Sequence, residues 1–141
     1  MKVDLENGRI NKMRVYIEVR DYEIDAEGIV NNANYLHYLE HTRHEFCNKV
    51  GFSFAQMCEK GITPVLSRVE IDYMTPLRSG DVMVSCLNIK RKGPRFIFYQ
   101  DVFRESDESP VVKAVVTVVS LKNDKLSRGD EIAEAFKEYL M

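Results

Sequence analysis

Hydrophobic and polar residues alternate in the first apolar segment of the chain. Met13, Val15, Ile17 and Val19 fall on one side of residues 13–19, and mostly polar residues fall between them. A period of two predicts a half-buried β-strand.

The period changes after an irregular segment, residues 21–34, which contains Gly28 and three asparagines. Apolar positions then recur in steps of three and four, which places them on one face of a helix. This stripe consists of Tyr35, Leu39, Thr42, Phe46 and Val50, with Tyr38 beside it and with Leu36 and Cys47 widening it. We therefore predict a long central helix over about residues 34–50, ended by Gly51.

The second half of the chain is dominated by strand-like runs rich in Val, Ile, Phe and Tyr. These runs are residues 65–73, 82–90, 95–104 and 111–121, and in the first of them Val65, Val69, Ile71 and Tyr73 share a face. Short connections predict antiparallel neighbours, because parallel strands need long crossovers. Helical spacing returns at Ile132, Ala135, Phe136, Tyr139 and Leu140, which predicts a short C-terminal helix. The order of elements predicts a two-layer α+β domain.

Length and composition restrict the function classes. The 141 residues suffice for one domain, predicted over residues 13–141, with residues 1–12 as a flexible N-terminus. A net charge of -2 gives no reason to expect nucleic acid as a partner. The three cysteines have no metal-binding or disulfide spacing and are expected to be small core residues. No run is apolar enough for a signal peptide or a membrane span, so we expect a cytoplasmic protein.

Three segments carry a resemblance to a known family. They are VRDYEIDAEGIVNNANY at residues 19–35, IDY followed by Pro76 and Gly80-Asp81, and the basic turn KRKGPRF at residues 90–96. Together they resemble the hotdog-fold acyl-CoA thioesterases, specifically the 4-hydroxybenzoyl-CoA thioesterase-like group, over roughly residues 13–121. The resemblance implies an antiparallel sheet of about five strands wrapped around a long central helix. It also implies homodimers that assemble into homotetramers, with the active site at the subunit interface.

The resemblance places Asp25 at the position of the family's active-site carboxylate. Thioester hydrolysis needs a base that activates water or a nucleophile that attacks the carbonyl, and a carboxylate can serve either way. The alternative is an ordinary turn aspartate, three residues before Gly28. Asp21 and Glu23, which lie nearby in sequence, are expected to form a solvated loop face.

The N-terminus of the predicted helix is a second candidate for chemistry. Helix N-termini present unpaired N–H groups and a partial positive charge, which can stabilise an oxyanion. The resemblance assigns this role to the backbone N–H of Asn32, although many members of the family carry His or Tyr there. It also implies a substrate-binding role for four neighbouring residues, Gly28, Val30, Asn34 and Tyr35, with helix capping as the alternative for Asn34.

Glu40 is a further candidate, because some hotdog thioesterases use a carboxylate from the central helix as base or nucleophile. An ion pair with Arg43, three residues on, is the alternative. His37, His41 and His44 share the polar side of the helix without an acidic or sulfur ligand. We interpret them as surface or interface residues rather than as a metal site.

The basic turn contains Lys90, Arg91, Lys92 and Arg95. Such a cluster can bind the phosphates of coenzyme A electrostatically; the alternative is a solvated hairpin tip. No metal or other cofactor is implied, since coenzyme A is part of the substrate.

The resulting prediction is an acyl-CoA thioesterase. One alternative is an acyl-acyl carrier protein thioesterase, which would dock its acidic carrier protein through the basic turn. Another is a non-catalytic hotdog module that binds acyl-CoA. A hotdog dehydratase is disfavoured because its expected histidine has no counterpart around residues 20–39.

Overall fold

The computed structural model describes residues 13–141 and the backbone of two short N-terminal strands, Val3–Asp4 (β1) and Arg9–Ile10 (β2), which pair with each other. Apart from this pairing, the predicted flexible terminus, residues 1–12, lies outside the described residues.

An antiparallel sheet forms the main layer of the fold, in the order β3-β5-β6-β7-β4. The strands are β3 (Met13–Glu18), β4 (Ile62–Tyr73), β5 (Val82–Lys92), β6 (Arg95–Arg104), β7 (Pro110–Lys122) and β8 (Lys125–Ser127), which pairs with the end of β7. The helices are α1 (Asn32–Lys49), α2 (Phe54–Glu59) and α3 (Asp130–Phe136), with a 3-10 turn at Asp21–Glu23. This confirms the predicted α+β architecture. None of the described helices is long and apolar enough to cross a membrane.

The strand β8 was not predicted from the sequence. It follows a two-residue turn in which Asn123 and Asp124 both have positive φ, 51° and 66°. Asn and Asp tolerate this left-handed conformation, which suits the tight turn of a β-hairpin. The strand was missed because only three residues follow the turn before the chain leaves the sheet.

The central helix α1 packs its apolar stripe against the sheet, chiefly over β3 and β5. Its buried residues are Tyr35, Tyr38, Leu39, Thr42, Phe46 and Cys47, which confirms most of the predicted stripe. Leu36 is the exception, because its side chain is 44% exposed. The helix begins at Asn32, two residues earlier than predicted, because the Asn31 side chain caps it by accepting the Ala33 N–H at 2.9 Å.

A buried hydroxyl pair links α1 to the sheet. Thr42 Oγ1 donates to the Tyr38 carbonyl at 2.9 Å and lies 2.7 Å from Ser85 Oγ on β5. Both side chains are fully buried. A Thr42→Val substitution should lower the free energy of unfolding by about 1–3 kcal/mol, because it leaves the Ser85 hydroxyl without a partner.

Urea denaturation measures this effect. The control is the double variant Thr42→Val/Ser85→Ala, which removes both hydroxyls and should be more stable than Thr42→Val alone. If the single variant is the more stable of the two, the hydroxyl pair is not responsible.

The strand β4 departs from the predicted alternation. Its pairing with β7 shifts between Leu66 and Arg68, so Ser67 is an extra residue in a β-bulge. Leu66 therefore pairs with Val118, on the side of the sheet that faces α1, whereas Val65 pairs with Val119 on the opposite side. The prediction that Val65 shares a face with Val69, Ile71 and Tyr73 was wrong, because a bulge reverses the faces of all residues beyond it.

Two of the three cysteines are buried, as predicted, but Cys58 on α2 is exposed. Burial raises the pKa of the Cys47 thiol to about 12. Since the thiolate is the reactive form, we expect a single fast-reacting thiol per native chain at pH 8, that of Cys58. Titration with an aromatic disulfide reagent measures this, and a Cys58→Ser variant that still reacts rapidly while folded would contradict it.

Candidate active site

The N-terminus of α1 leaves one backbone donor free. The Asn31 N–H donates to the Glu23 carbonyl at 3.1 Å, the Ala33 N–H to Asn31 Oδ1 at 2.9 Å, and the Asn34 N–H to the Asn31 carbonyl at 2.9 Å. The Asn32 N–H has no partner within the described part of the chain, and Asn32 is exposed. The helix therefore offers a single free main-chain donor at the positive end of its dipole.

Hydrogen bonds to Glu23 connect the loop before α1 to the helix. The Asn34 side-chain amide donates to the Glu23 carbonyl at 2.9 Å, and the Glu23 carboxylate accepts the Arg20 N–H at 2.8 Å. Asn34 therefore holds the loop in place, and the helix cap is Asn31. A direct contact between Asn34 and substrate stays a prediction.

Asp25 lies in this loop and is partly buried. Its Oδ1 accepts the N–H groups of Glu27 at 2.9 Å and Ile29 at 3.4 Å, in a turn completed by Gly28 at φ 80°. Its Oδ2 accepts no hydrogen bond from the described residues. Asp25 is thus a turn aspartate whose main-chain contacts orient the carboxylate and leave one oxygen available for a proton.

Two predicted substrate-binding residues connect the loop to the segment before β5. The Val30 N–H donates to the Leu77 carbonyl at 2.9 Å, and the Tyr35 hydroxyl accepts the Leu77 N–H at 3.1 Å. Val30 and Tyr35 are both buried, and burial raises the pKa of the Tyr35 phenol. These two hydrogen bonds to Leu77 hold the loop that carries Asp25 against the segment before β5.

Tyr73, at the end of β4, lies directly at the helix N-terminus. Its hydroxyl donates to the Asn32 carbonyl at 3.3 Å, and its ring packs edge-on against Tyr35 at 5.5 Å. The side chain is 46% exposed. The sequence contained a signal for this residue, since Tyr73 is the tyrosine of the second motif, but no role was assigned to it.

Glu40 lies apart from Asn32 and Asp25 within one chain. It follows Asn32 by eight residues, about 12 Å along the helix axis at 1.5 Å per residue. Its carboxylate lies 3.5 Å from His44 Nε2, whereas Arg43 Nη1 donates to Gln100 Oε1 at 3.0 Å. Glu40 therefore contacts His44, and its negative charge also acts on Arg43, where it partly offsets the lowering of the Arg43 pKa by burial.

The three histidines of α1 lie in different environments. His37 and His41 are exposed, and the His44 ring packs against Phe54 with ring centroids 4.1 Å apart. Among the described residues, no three potential metal ligands converge.

The predicted phosphate-binding turn connects β5 and β6. Arg91 is occupied there: Nε donates to the Gly93 carbonyl at 3.0 Å, and Nη2 donates to the Arg128 carbonyl at 2.9 Å and to Asp130 Oδ1 at 2.6 Å. Arg91 therefore fastens the turn to the start of α3. The other three cations of the turn, Lys90, Lys92 and Arg95, are exposed.

The basic turn and the Asp25 loop lie at opposite ends of the sheet. The loop follows β3, where the Val19 N–H donates to the Asp81 carbonyl beside the start of β5. The turn follows the other end of β5, ten residues away, or about 33 Å at 3.3 Å per residue. A single chain does not bring the two sites together.

Arg91 and Lys92 should therefore respond differently to truncation. We expect Arg91→Ala to lower the melting temperature, because the turn loses its link to α3, and Lys92→Ala to leave it unchanged. Thermal unfolding of both variants measures the difference. Equal melting temperatures would show that the Arg91 contacts do not stabilise the fold.

Comparison with known proteins gives the same architecture and one family. The model of the thioesterase-like superfamily matches residues 19–140. A chloroplastic acyl-acyl carrier protein thioesterase of Arabidopsis thaliana is 34% identical over 110 residues, 77% of this chain, and the match spans 58% of the plant protein. A long-chain acyl-CoA thioesterase of Escherichia coli is 29% identical over 130 residues, 89% of this chain and 98% of that protein. A solved Aquifex aeolicus protein, 34% identical, superposes with a TM-score of 0.81 over 87% of this chain and 98% of that one.

Proposed function

The chain belongs to the thioesterase-like superfamily, and from that premise we propose that it hydrolyses the thioester of an acyl-CoA to a free acid and coenzyme A. The observation that carries the proposal is the free Asn32 N–H at the start of α1. The carbonyl oxygen of a thioester gains negative charge as it is attacked. A fixed donor at the positive end of a helix stabilises that charge without reorganising.

Asp25 supplies the second half of the proposed mechanism. As a general base, its free Oδ2 takes a proton from water while the water oxygen bonds to the thioester carbon. The C–S bond then breaks, coenzyme A leaves as a thiolate and the acid is released. As a nucleophile, Asp25 would instead form an acyl anhydride that water hydrolyses in a second step. Both routes use the same oxygen and the same Asn32 donor.

The location of the basic turn supports an assembly of subunits. We propose a homodimer that assembles into a homotetramer, in which the coenzyme A phosphates reach the basic turn of another subunit. Within one chain the turn lies about 33 Å from the Asp25 loop, counted along β5. The same assembly would allow Glu40 of one subunit to approach the Asn32 of its partner, which keeps Glu40 as a second candidate base. Lys92→Glu should then raise KM for acyl-CoA with little effect on kcat.

An acyl-acyl carrier protein is the second candidate substrate. It is favoured by the 34% identity to a plant enzyme named for that activity and by the exposed Lys90, Lys92 and Arg95. The chain spans only 58% of the length of that relative. Charge reversal at Lys92 and Arg95 should impair carrier-protein substrates much more than small thioesters, because only the carrier presents an extended acidic surface.

Thiol release from a panel of short, long and aromatic acyl-CoAs, and from the matching acyl-carrier proteins, tests the proposal. We expect turnover of at least one acyl-CoA in the presence of EDTA, since the proposed chemistry requires no metal. Binding of acyl-CoA without turnover across the whole panel would identify a non-catalytic module instead.

A further inference from the structure

An apolar cavity of about 210 Å³ lies between the helices and the sheet. Its walls include Cys47 of α1, Met57 of α2, Phe98 of β6 and Phe136 of α3. These side chains are buried, so the cavity is a recess of the core rather than a surface depression. It arises because α1 packs over β3 and β5 while α2 packs over β4, which leaves space at the corner between the two helices.

The cavity is lined in part by α1 and β4, the two elements that meet at the candidate active site. Its lining also includes Glu40, Phe54 and Leu66, all three exposed. Tyr73, at the other end of β4, contacts Asn32. The end of β4 thus lies at the start of α1, and the beginning of β4 lies beside the later turns of α1, so the two elements run antiparallel. We refer to the strip along α1 between Asn32 and the cavity as the groove.

The helix face along this groove is continuous from the active site to the cavity. Asn32, Leu36, Arg43 and Cys47 fall within roughly 60° of one another at 100° per residue. Leu36 is an apolar residue on this face and is 44% exposed. An exposed leucine between a free oxyanion donor and an apolar cavity is the lining expected of a path for an apolar chain.

We propose that this groove and cavity hold the acyl chain of the substrate within the same subunit, so that chains of roughly twelve carbons or more are preferred over short ones. This inference rests on the proposed thioesterase function. The groove from Asn32 to Glu40 measures about 12 Å, which an extended chain covers in roughly ten carbons at ~1.3 Å each, the projection of a ~1.5 Å bond. The cavity beyond is somewhat larger than the ~150 Å³ that accommodates benzene, so it has room for several further carbons.

A polar network keeps the cavity wall in place. Arg43 Nη1 donates to Gln100 Oε1 at 3.0 Å, and Gln100 Nε2 donates to the Leu39 carbonyl at 3.0 Å. Gln100 is fully buried, and burial lowers the pKa of the Arg43 guanidinium. The network fixes α1 to β6 beside the cavity, so a chain can enter a preformed space at little cost in reorganisation.

A substitution on the sheet that fills the cavity tests this inference. Val118 lines the cavity, and its neighbour Val119 on β7 faces the other side of the sheet. Val118→Phe should lower the ratio of kcat/KM for tetradecanoyl-CoA to that for butyryl-CoA at least tenfold, since the added ring occupies the space of the chain end. The matched control, Val119→Phe, should leave the ratio unchanged. An unchanged ratio in Val118→Phe would overturn the inference.

A second pair of variants changes residues at the mouth of the cavity, where a larger side chain disturbs the core less. Leu66 lies at the cavity mouth and is 49% exposed, and the adjacent Val65 is 36% exposed on the opposite side of β4. Leu66→Trp should reduce the same ratio, and Val65→Trp should not. A reduction by both variants alike would overturn the inference.

Equilibrium binding separates this inference from the proposed function. Non-hydrolysable tetradecyl and butyl thioethers of coenzyme A report chain binding without turnover. We expect wild-type protein to bind the tetradecyl thioether more tightly and Val118→Phe to lose that preference. A wild-type protein that binds both equally overturns the inference, whereas a preference for the long chain without any hydrolysis overturns only the thioesterase proposal.

Discussion

Asp25→Asn is expected to lower kcat for acyl-CoA hydrolysis by about 10²-fold or more, the magnitude usual for removal of a general base. The substitution is well suited to this site, because Asn retains the Oδ1 acceptor that binds the N–H groups of Glu27 and Ile29. The turn is therefore preserved, while the free Oδ2 is replaced by an amide nitrogen that cannot take a proton. Single-turnover hydrolysis of a good acyl-CoA substrate measures the effect.

The control for this prediction is Glu40→Gln, the same change of carboxylate to amide on α1. If Asp25 is the base or nucleophile, Glu40→Gln should retain most of the wild-type kcat. Near-wild-type turnover in Asp25→Asn together with a large loss in Glu40→Gln would transfer the catalytic role to Glu40.

The architecture could be predicted because most elements bury one face only. The stripe of α1 and the alternation of β3 follow directly from one-sided burial, and the resemblance implied an antiparallel sheet around a long helix, without the order of its strands. Leu36 was wrongly placed in the core, since its exposure depends on how far the sheet extends around α1, which the spacing of apolar residues does not report. The face of Val65 was wrong because the bulge at Ser67 has no clear signal in the sequence.

The candidate site could be predicted only as a set of residues. The motif singled out Asp25 and Asn32, but whether the Asn32 N–H is free depends on how Asn31, Ala33 and Asn34 find their partners. One of those partners, the Glu23 carbonyl, comes from the preceding loop. The hydrogen bonds of Arg91 could not be predicted from the sequence either, because one partner, Arg128, lies 37 residues away. Local patterns do not report such tertiary hydrogen bonds.

Asn32→Pro should lower kcat by about 10²–10³-fold, as expected for the loss of one oxyanion donor. Proline is favoured at the first position of a helix, where its missing N–H disturbs no intrahelical bond. The preceding residue, Asn31, is already extended at φ −62° and ψ 139°, which a following proline prefers. The substitution therefore removes the free donor and the exposed Asn32 side chain without breaking the helix, and a wild-type melting temperature would verify that the helix is intact.

The ratio of kcat between Asn32→Ala and Asn32→Pro on one acyl-CoA tests whether the backbone N–H at the α1 N-terminus stabilises the oxyanion during hydrolysis. Both variants lack the Asn32 side chain, but only Asn32→Ala retains the N–H. We expect the kcat of Asn32→Ala to remain within a fewfold of wild type and to exceed that of Asn32→Pro by about 100-fold or more. A ratio near one, with both variants folded, would show that the Asn32 N–H is not the oxyanion donor.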